Sequence, residues 1–194
     1  MTQTTKTPDA EQTHIRKTQR TRAASARSEP SDAERLHEVL SAFRNVVLMT
    51  PSAGEGHALN GRPMHVASLE SDNDLWFFTR VDAAQTREAM ESDDAYVVAQ
   101  DSTRQVVMRG RVFVSKDRDK LDQLWSPAAQ VFFPDGKDDP DLCLLAFVPC
   151  EAEYWDLSGT KSLRYALDLA YAYVKGETPP TRDEQHAKVV LDPQ

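Results

Sequence analysis

No apolar run in this chain approaches the ~18 residues that a membrane helix requires, so a bilayer-spanning helix is excluded. Cysteine is nearly absent. Cys143 and Cys150 are too few for a disulfide framework, and both sit in or just after one apolar run, where a single strand cannot bridge them. Both are expected to be reduced. Glycine is scarce too, with seven residues, and they form neither a Walker nor a dinucleotide fingerprint. No sequence marks a nucleophile elbow. His14, His37, His57, His65 and His186 are scattered, without metal-ligand spacing among themselves or with the cysteines, so no metal site is expected. The acidic run from Asp135 to Asp141 lacks calcium-loop spacing and reads as a solvated loop. Positive charge is also short: 23 Lys and Arg stand against 31 Asp and Glu, a net charge of -8. That balance argues against nucleic acid as the main partner of the folded part. The polar N-terminus lacks the apolar core of a signal peptide, which makes the cytoplasm the expected compartment.

What is present is one domain's worth of amphipathic pattern. Residues 1–30 are rich in Thr, Gln, Ala, Ser and Arg and cannot bury enough surface to offset their ordering entropy, so a disordered, mildly basic tail is expected. It reads as a solvated leader in preference to a nucleic-acid or membrane-surface arm. Residues 31–194 form the folded unit. Ser31-Asp32-Ala33-Glu34 is a capping-box pattern, and Leu36, Val39, Leu40 and Phe43 follow at helical spacing. Strands are expected at 46–50, 62–69, 75–79, 95–100, 106–114 and 142–148. Asn60-Gly61 and Ser71-Asp72-Asn73 read as turns. A helix over 83–91 is expected with Asp82 as its cap, a short helix at 121–125 stopped by Pro127, and a C-terminal helix from Leu163 to Gly176. Residues 188–191 read as a last short strand or a docked tail. Strands joined mostly as hairpins, without βαβ alternation, predict a mainly β protein: an antiparallel β-barrel with peripheral helices.

Gly61-Arg62-Pro63-Met64 and Trp76-Phe77-Phe78-Thr79 read as the two arms of one hairpin. Its open end would bring Arg62 to the start of the helix after Asp82. Free backbone N–H groups there favour an anion, and a guanidinium adds a fork suited to phosphate. Pro63 cannot donate to a ladder and marks an edge or a gap in pairing. An ordinary hairpin with one surface arginine is the competing reading of the same residues.

Further segments then fall into a recognisable order: Gly110-Arg111, Asp117 through Trp125, Phe133-Pro134-Asp135-Gly136 with Asp139-Pro140-Asp141, Ala152 to Asp156 with its Tyr-Trp-Asp, and Lys188-Val189. With the two arms above, this set resembles the general stress protein branch of the pyridoxamine 5'-phosphate oxidase-like superfamily over about residues 33–191. The resemblance implies a split β-barrel of the FMN-binding type, a homodimer, and FMN, with FAD as the variant, held in clefts between subunits. It places Arg62, Pro63 and Met64 along the flavin, and Phe78 and Thr79 beside the ribityl-phosphate. Trp155 is a further candidate to approach the cofactor. The family's usual Ser and Lys at the phosphate are replaced here by Ala83 and Gln85. Arg80, Arg87 or Thr86 could stand in for them.

A flavin carries out its own electron transfer, so no dedicated acid, base or nucleophile is required and none is expected. The implied function is a flavin-binding general stress-type protein, an oxidoreductase acting on a small molecule. Ala83 and Gln85 keep a second reading open: a dimer that has lost catalysis and carries or senses a weakly bound flavin or another anion.

Overall fold

The computed structural model describes residues 30–52, 58–159, 168, 171–172, 174–176 and 186–191. All of the expected tail over residues 1–30 except Pro30 lies outside the described residues, as does most of the C-terminal helix. Within that helix Asp168, Tyr171, Ala172, Val174 and Lys175 are helical. No described helix is long and apolar enough to cross a membrane.

The elements run α1 (Asp32–Leu40), β1 (Asn45–Pro51), β2 (Leu59–His65), β3 (Ser68–Leu69), β4 (Leu75–Arg80), α2 (Ala84–Glu91), β5 (Asp94–Gln100) and β6 (Arg104–Ser115). They continue with α3 (Arg118–Leu124), α4 (Pro127–Phe132), β7 (Leu142–Asp156) and β8 (His186–Val190). One antiparallel sheet of eight strands runs in the order β2-β1-β5-β6-β7-β4-β3, with β8 paired to β7. It curls into a split barrel. Alternation along β6 turns Val106, Met108, Gly110 and Val112 inward and leaves Gln105, Val107, Arg109, Arg111 and Phe113 outward. Helix α1 lays Leu36, Val39 and Leu40 on a core built from Leu48, Phe77, Val97, Met108 and Phe147. β7 opens with Leu-Cys-Leu-Leu-Ala-Phe, all buried. Such a run is covered on both faces. Here one face meets the main core and the other a small cluster of Leu121, Leu142 and Leu144 with Trp76, Phe78 and Trp125. At the bulge between Arg109 and Gly110 only glycine fits, because a Cβ at position 110 would stand 2.2 Å from the Val148 carbonyl oxygen.

Four expectations are corrected. Strand β2 is not the partner of β4: it pairs along its length with β1, placing Arg62 opposite Leu48 and Met64 opposite Val46. The chain changes partner at one step, where the Val66 amide donates to Arg44 O at 2.9 Å and the Ala67 amide to Trp76 O at 2.8 Å. Only the short β3 pairs with β4, through Ser68↔Trp76 and Leu69↔Leu75. Second, Asn60-Gly61 lies within β2, not in a turn. Third, Asp82 does not cap α2: the cap residue is Ala83, which has no side chain to accept from the helix, and Asp82 faces Arg80. Fourth, Pro127 starts a helix in addition to ending one. It occupies the first turn of α4, where its missing N–H costs nothing, with the Ser126 hydroxyl capping Ala129.

The turn between β3 and β4 leans on α1. Asn73 is buried at φ 73°, and its side-chain amide reaches Ala33 O at 3.4 Å. Next to it, burial first, then the charges of Asp72 and Glu70, push the Asp74 carboxyl from 3.8 up to about 6. The native state therefore keeps this proton where the unfolded chain has lost it. Stability falls as pH rises through the interval between those two values and is level above it. Asp74→Asn removes the titration. In urea unfolding across this range, the variant's advantage over the parent is expected to grow up to about pH 6 and then stay constant; an advantage independent of pH would contradict this origin.

Candidate functional site

The step at Val66–Ala67 opens a cleft of about 490 Å³. The residues from Pro63 to Ala67 form one wall, the end of β4 with Ala83 and Gln85 another, and α4 contributes Ala129 and Phe132, followed by Phe133. Its size lies within the usual range for small-molecule sites, about 300–1,000 Å³, and its walls are mostly apolar. Phe78 meets Trp125 edge-on at 5.5 Å and Phe133 at 6.0 Å, which fixes the aromatic floor. Phe132 lies against the His65 ring at 6.4 Å.

The polar corner belongs to α2. Among the described backbone hydrogen bonds, none uses the amides of Ala84 or Gln85, so this helix end keeps donors for an acceptor. The side chains around it are already occupied with one another. The Thr86 hydroxyl donates to Arg80 O at 2.7 Å; Thr79 Oγ1 lies 3.3 Å from Thr86 Oγ1 and accepts from the Gln85 amide at 3.0 Å. Since the Thr86 proton is spent on Arg80 O, Thr79 donates to Thr86. Cys143 sits beneath this chain, and burial pushes its thiol up to about 11, so it stays protonated and inert. Arg80 also lines the cleft, with its guanidinium among Asp82, Asp135, Asp139 and Asp141.

Of the residues predicted from the sequence, Pro63, Met64, Phe78, Thr79 and Gln85 line this one cleft. Arg62 and Trp155 are not among its lining residues. Arg62 does not meet the free amides of α2. It pairs with Glu88, one helix turn further on, through Nη1–Oε2 at 2.6 Å and Nη2–Oε1 at 2.9 Å. Thr50 and Asn60 donate to the same carboxylate at 2.6 and 2.7 Å. Burial pushes the Glu88 carboxyl up, but these hydrogen bonds, Arg62's foremost, outweigh it and leave it below its ordinary value. Position 62 faces inward on β2 beneath α2, and a nearly buried carboxylate there claims the guanidinium. Trp155 lies on β7, stacked on His186 of β8 at 4.9 Å. Sequence reasoning missed Asn45, His65, Val66, Ala67, Phe132 and Phe133 as lining residues. The Phe-Pro-Asp-Gly segment carried part of that signal, while α4 was hidden by reading Pro127 only as a stop.

Comparisons with known proteins agree with this architecture. The family model described as pyridoxamine 5'-phosphate oxidase like matches residues 31–180. No curated protein matches the sequence. Among solved structures, one assigned as general stress protein 26 from Jannaschia sp. CCS1 is 25% identical, with TM-score 0.65 over 81% of this chain and 96% of that one. The general stress FMN/FAD binding protein from Xanthomonas citri is 25% identical, with TM-score 0.55 over 66% of this chain and 89% of that one. A protein related to general stress protein 26 from Clostridium acetobutylicum is 19% identical, with TM-score 0.56 over 64% and 87%, and shares the fold.

The Arg62–Glu88 pair is expected to act as a structural clamp. Glu88→Ala leaves a guanidinium under α2 without its carboxylate and should cost about 3 kcal/mol, read from urea unfolding. Replacing both partners, as Arg62→Met with Glu88→Gln, should recover most of that loss, because no unpaired charge remains and the new side-chain carbonyl still accepts from Thr50 and Asn60. A double variant as unstable as the single one would contradict the clamp.

Proposed function

The chain belongs to the pyridoxamine 5'-phosphate oxidase-like family, and on that premise we propose that it binds a flavin, FMN or FAD, in the cleft between the β2–β3 step and α2. The observation that carries the reading is the convergence of Pro63, Met64, Phe78, Thr79 and Gln85 on one aromatic-floored cleft. The Xanthomonas citri neighbour described as FMN/FAD binding supports it. The walls fit the group: apolar side chains offer faces to a flat ring, and the spare amides of Ala84 and Gln85 offer donors at one end. When bound, a flavin supplies electron transfer, which would make the protein an oxidoreductase acting on a small molecule. This chain's part is to seat the ring and exclude water. Phe132 and Phe133 line the cleft, Pro63 and Met64 border it, and the Thr79–Thr86 pair fixes the helix end.

A second copy of the chain is part of the proposal. On the outward face of the sheet, Pro63, Val47, Val98 and Val107 stand in one row across β2, β1, β5 and β6, and Met49 and Tyr96 in the next. Val47 is 39% exposed, Leu59 44% and Val107 42%, an apolar band that a soluble monomer would have to leave in water. Pro63 belongs both to this row and to the cleft wall, so a partner on the band would border the ligand. β2 is also a sheet edge, and Pro63 blunts it. The proposed compartment is the cytoplasm, in keeping with the free thiols Cys143 and Cys150.

Ala83 and Gln85 support a second reading, in which the fold persists as a flavin or anion carrier or sensor without turnover. Sustained NADH or NADPH oxidation that depends on added flavin would exclude it.

Two measurements test the main reading. The protein isolated from cells, or its apo form titrated with FMN and FAD, is expected to show a flavin spectrum; no saturable binding at tens of micromolar, a Kd limit of about -6 kcal/mol, would reject it. Sedimentation is expected to give a dimer, and Val47→Glu with Val107→Lys should shift it to monomer. A stable parent monomer with full flavin affinity would overturn the shared cleft.

A further inference from the structure

This inference rests on the flavin reading and concerns which part of the ligand the cleft recognises. Among the described lining residues, Arg80 and His65 are the side chains able to carry positive charge. Arg80 is the one of them that carries a permanent charge, and it is already paired. His65 Nδ1 is 3.1 Å from Asn45 Oδ1, and its ring lies against Phe132. Arg80 is surrounded by carboxylates: Asp139 Oδ2 at 2.7 Å and Asp135 at 3.9 Å on Nη1, Asp141 at 3.2 Å on Nη2, and Asp82 at 3.4 Å on Nε. Asp139 is only 7% exposed, and its other oxygen accepts the Asp141 amide at 2.9 Å, so backbone geometry fixes the partner that holds Arg80.

Two neighbouring arginines donate to backbone carbonyls. Arg87 donates to the Asp82 carbonyl, and Arg118 donates to the Asp139 and Lys137 carbonyls. Neither lines the cleft. The Gln85 amide, at the position where an ammonium would sit by the family resemblance, donates to Thr79. A terminal phosphate, close to a dianion at neutral pH, would therefore approach a guanidinium whose charge four aspartates already offset. Two amides at the start of α2 remain, and an exposed helix end contributes only modestly.

We propose that the cleft selects a flavin by its ring and side chain and is nearly indifferent to a terminal phosphate dianion, because Asp139, with Asp82, Asp135 and Asp141, neutralises the guanidinium lining it. The ligand class is thus the flavin ring system itself, with riboflavin bound about as well as FMN. Asp139 acts through Arg80 and is a positioning residue.

The test compares riboflavin with FMN on the apo full-length protein, by quenching of flavin fluorescence at neutral pH. The two dissociation constants are expected to differ by less than about tenfold. A difference of that factor or more in either direction would overturn the inference while leaving the flavin reading intact. Failure of both to saturate would remove the flavin reading and the inference together. Asp139→Asn with Asp141→Asn keeps an acceptor for the Asp141 amide and releases Arg80. FMN affinity should then rise about fivefold or more, with riboflavin unchanged, since a freed guanidinium can form charge-assisted hydrogen bonds to phosphate. Unchanged FMN affinity in a double variant that melts like its parent would overturn the role of the aspartates. If the double variant fails to fold, the parent's riboflavin-to-FMN ratio decides alone.

Discussion

Two consecutive amides set the geometry of this protein. Val66 donates back toward β1 and Ala67 donates across to β4, so the chain leaves one side of the sheet and joins the other within a single residue. Successive N–H groups of an extended chain point to opposite edges, and here each edge finds a different partner. The β2 ladder therefore stops at His65, and the short β3 takes over at Ser68. What opens between them is the cleft. Its walls are the residues at which the two halves of the barrel part company. A continuous hairpin through this region would have sealed it.

A second constraint keeps the far wall in place. Helix α2 is only eight residues long and has no side-chain cap, so little within the helix itself holds it. The buried Glu88 carboxylate takes four hydrogen bonds, from Arg62, Thr50 and Asn60, and these tie the helix to β1 and β2. At the other end Thr86 bonds Arg80 O, tying α2 to β4. The helix thus bridges both sides of the split, and the amides of Ala84 and Gln85 are held at the mouth of the cleft by side chains that do not line it. A charge inside the protein here serves the positioning of a backbone.

Much of the fold was legible, and the part that was not has one cause. Alternation at 106–114, the apolar run at 142–148 and the helical spacing of Leu36, Val39 and Leu40 are local patterns, and all three became the elements they suggested. The resemblance brought Pro63, Met64, Phe78, Thr79 and Gln85 to one place although the strand pairing behind it was wrong, because ordered motifs encode a fold without encoding its register. Arg62 was misplaced because its partner is a non-local choice. Nothing near position 62 announces that Glu88 will be buried 26 residues away. A carboxylate in a helix reads as solvated surface until the strand beneath it is known. Phe132 and His65 were overlooked for the same reason: each joins the cleft through a contact between elements far apart in sequence.

The polar groups around the cleft share a property that bears on what it can do. Thr79, Thr86 and Gln85 satisfy one another, Arg80 is held by aspartates, and Arg62 is held by glutamate. A site prepared for a strongly charged ligand ordinarily leaves charge unpaired until the ligand comes, and bears that cost in the empty state. This cleft bears little of it. For the proposed flavin, affinity would then come from area: an aromatic floor, a proline and methionine wall and, in the proposed dimer, a second subunit against the band that contains Val47 and Val107. Area gives weak discrimination between ligands that share a ring, since burying the same surface contributes the same free energy whatever tail is attached. The internal pairing of the polar groups and the proposed indifference to a terminal phosphate are therefore two consequences of one electrostatic arrangement.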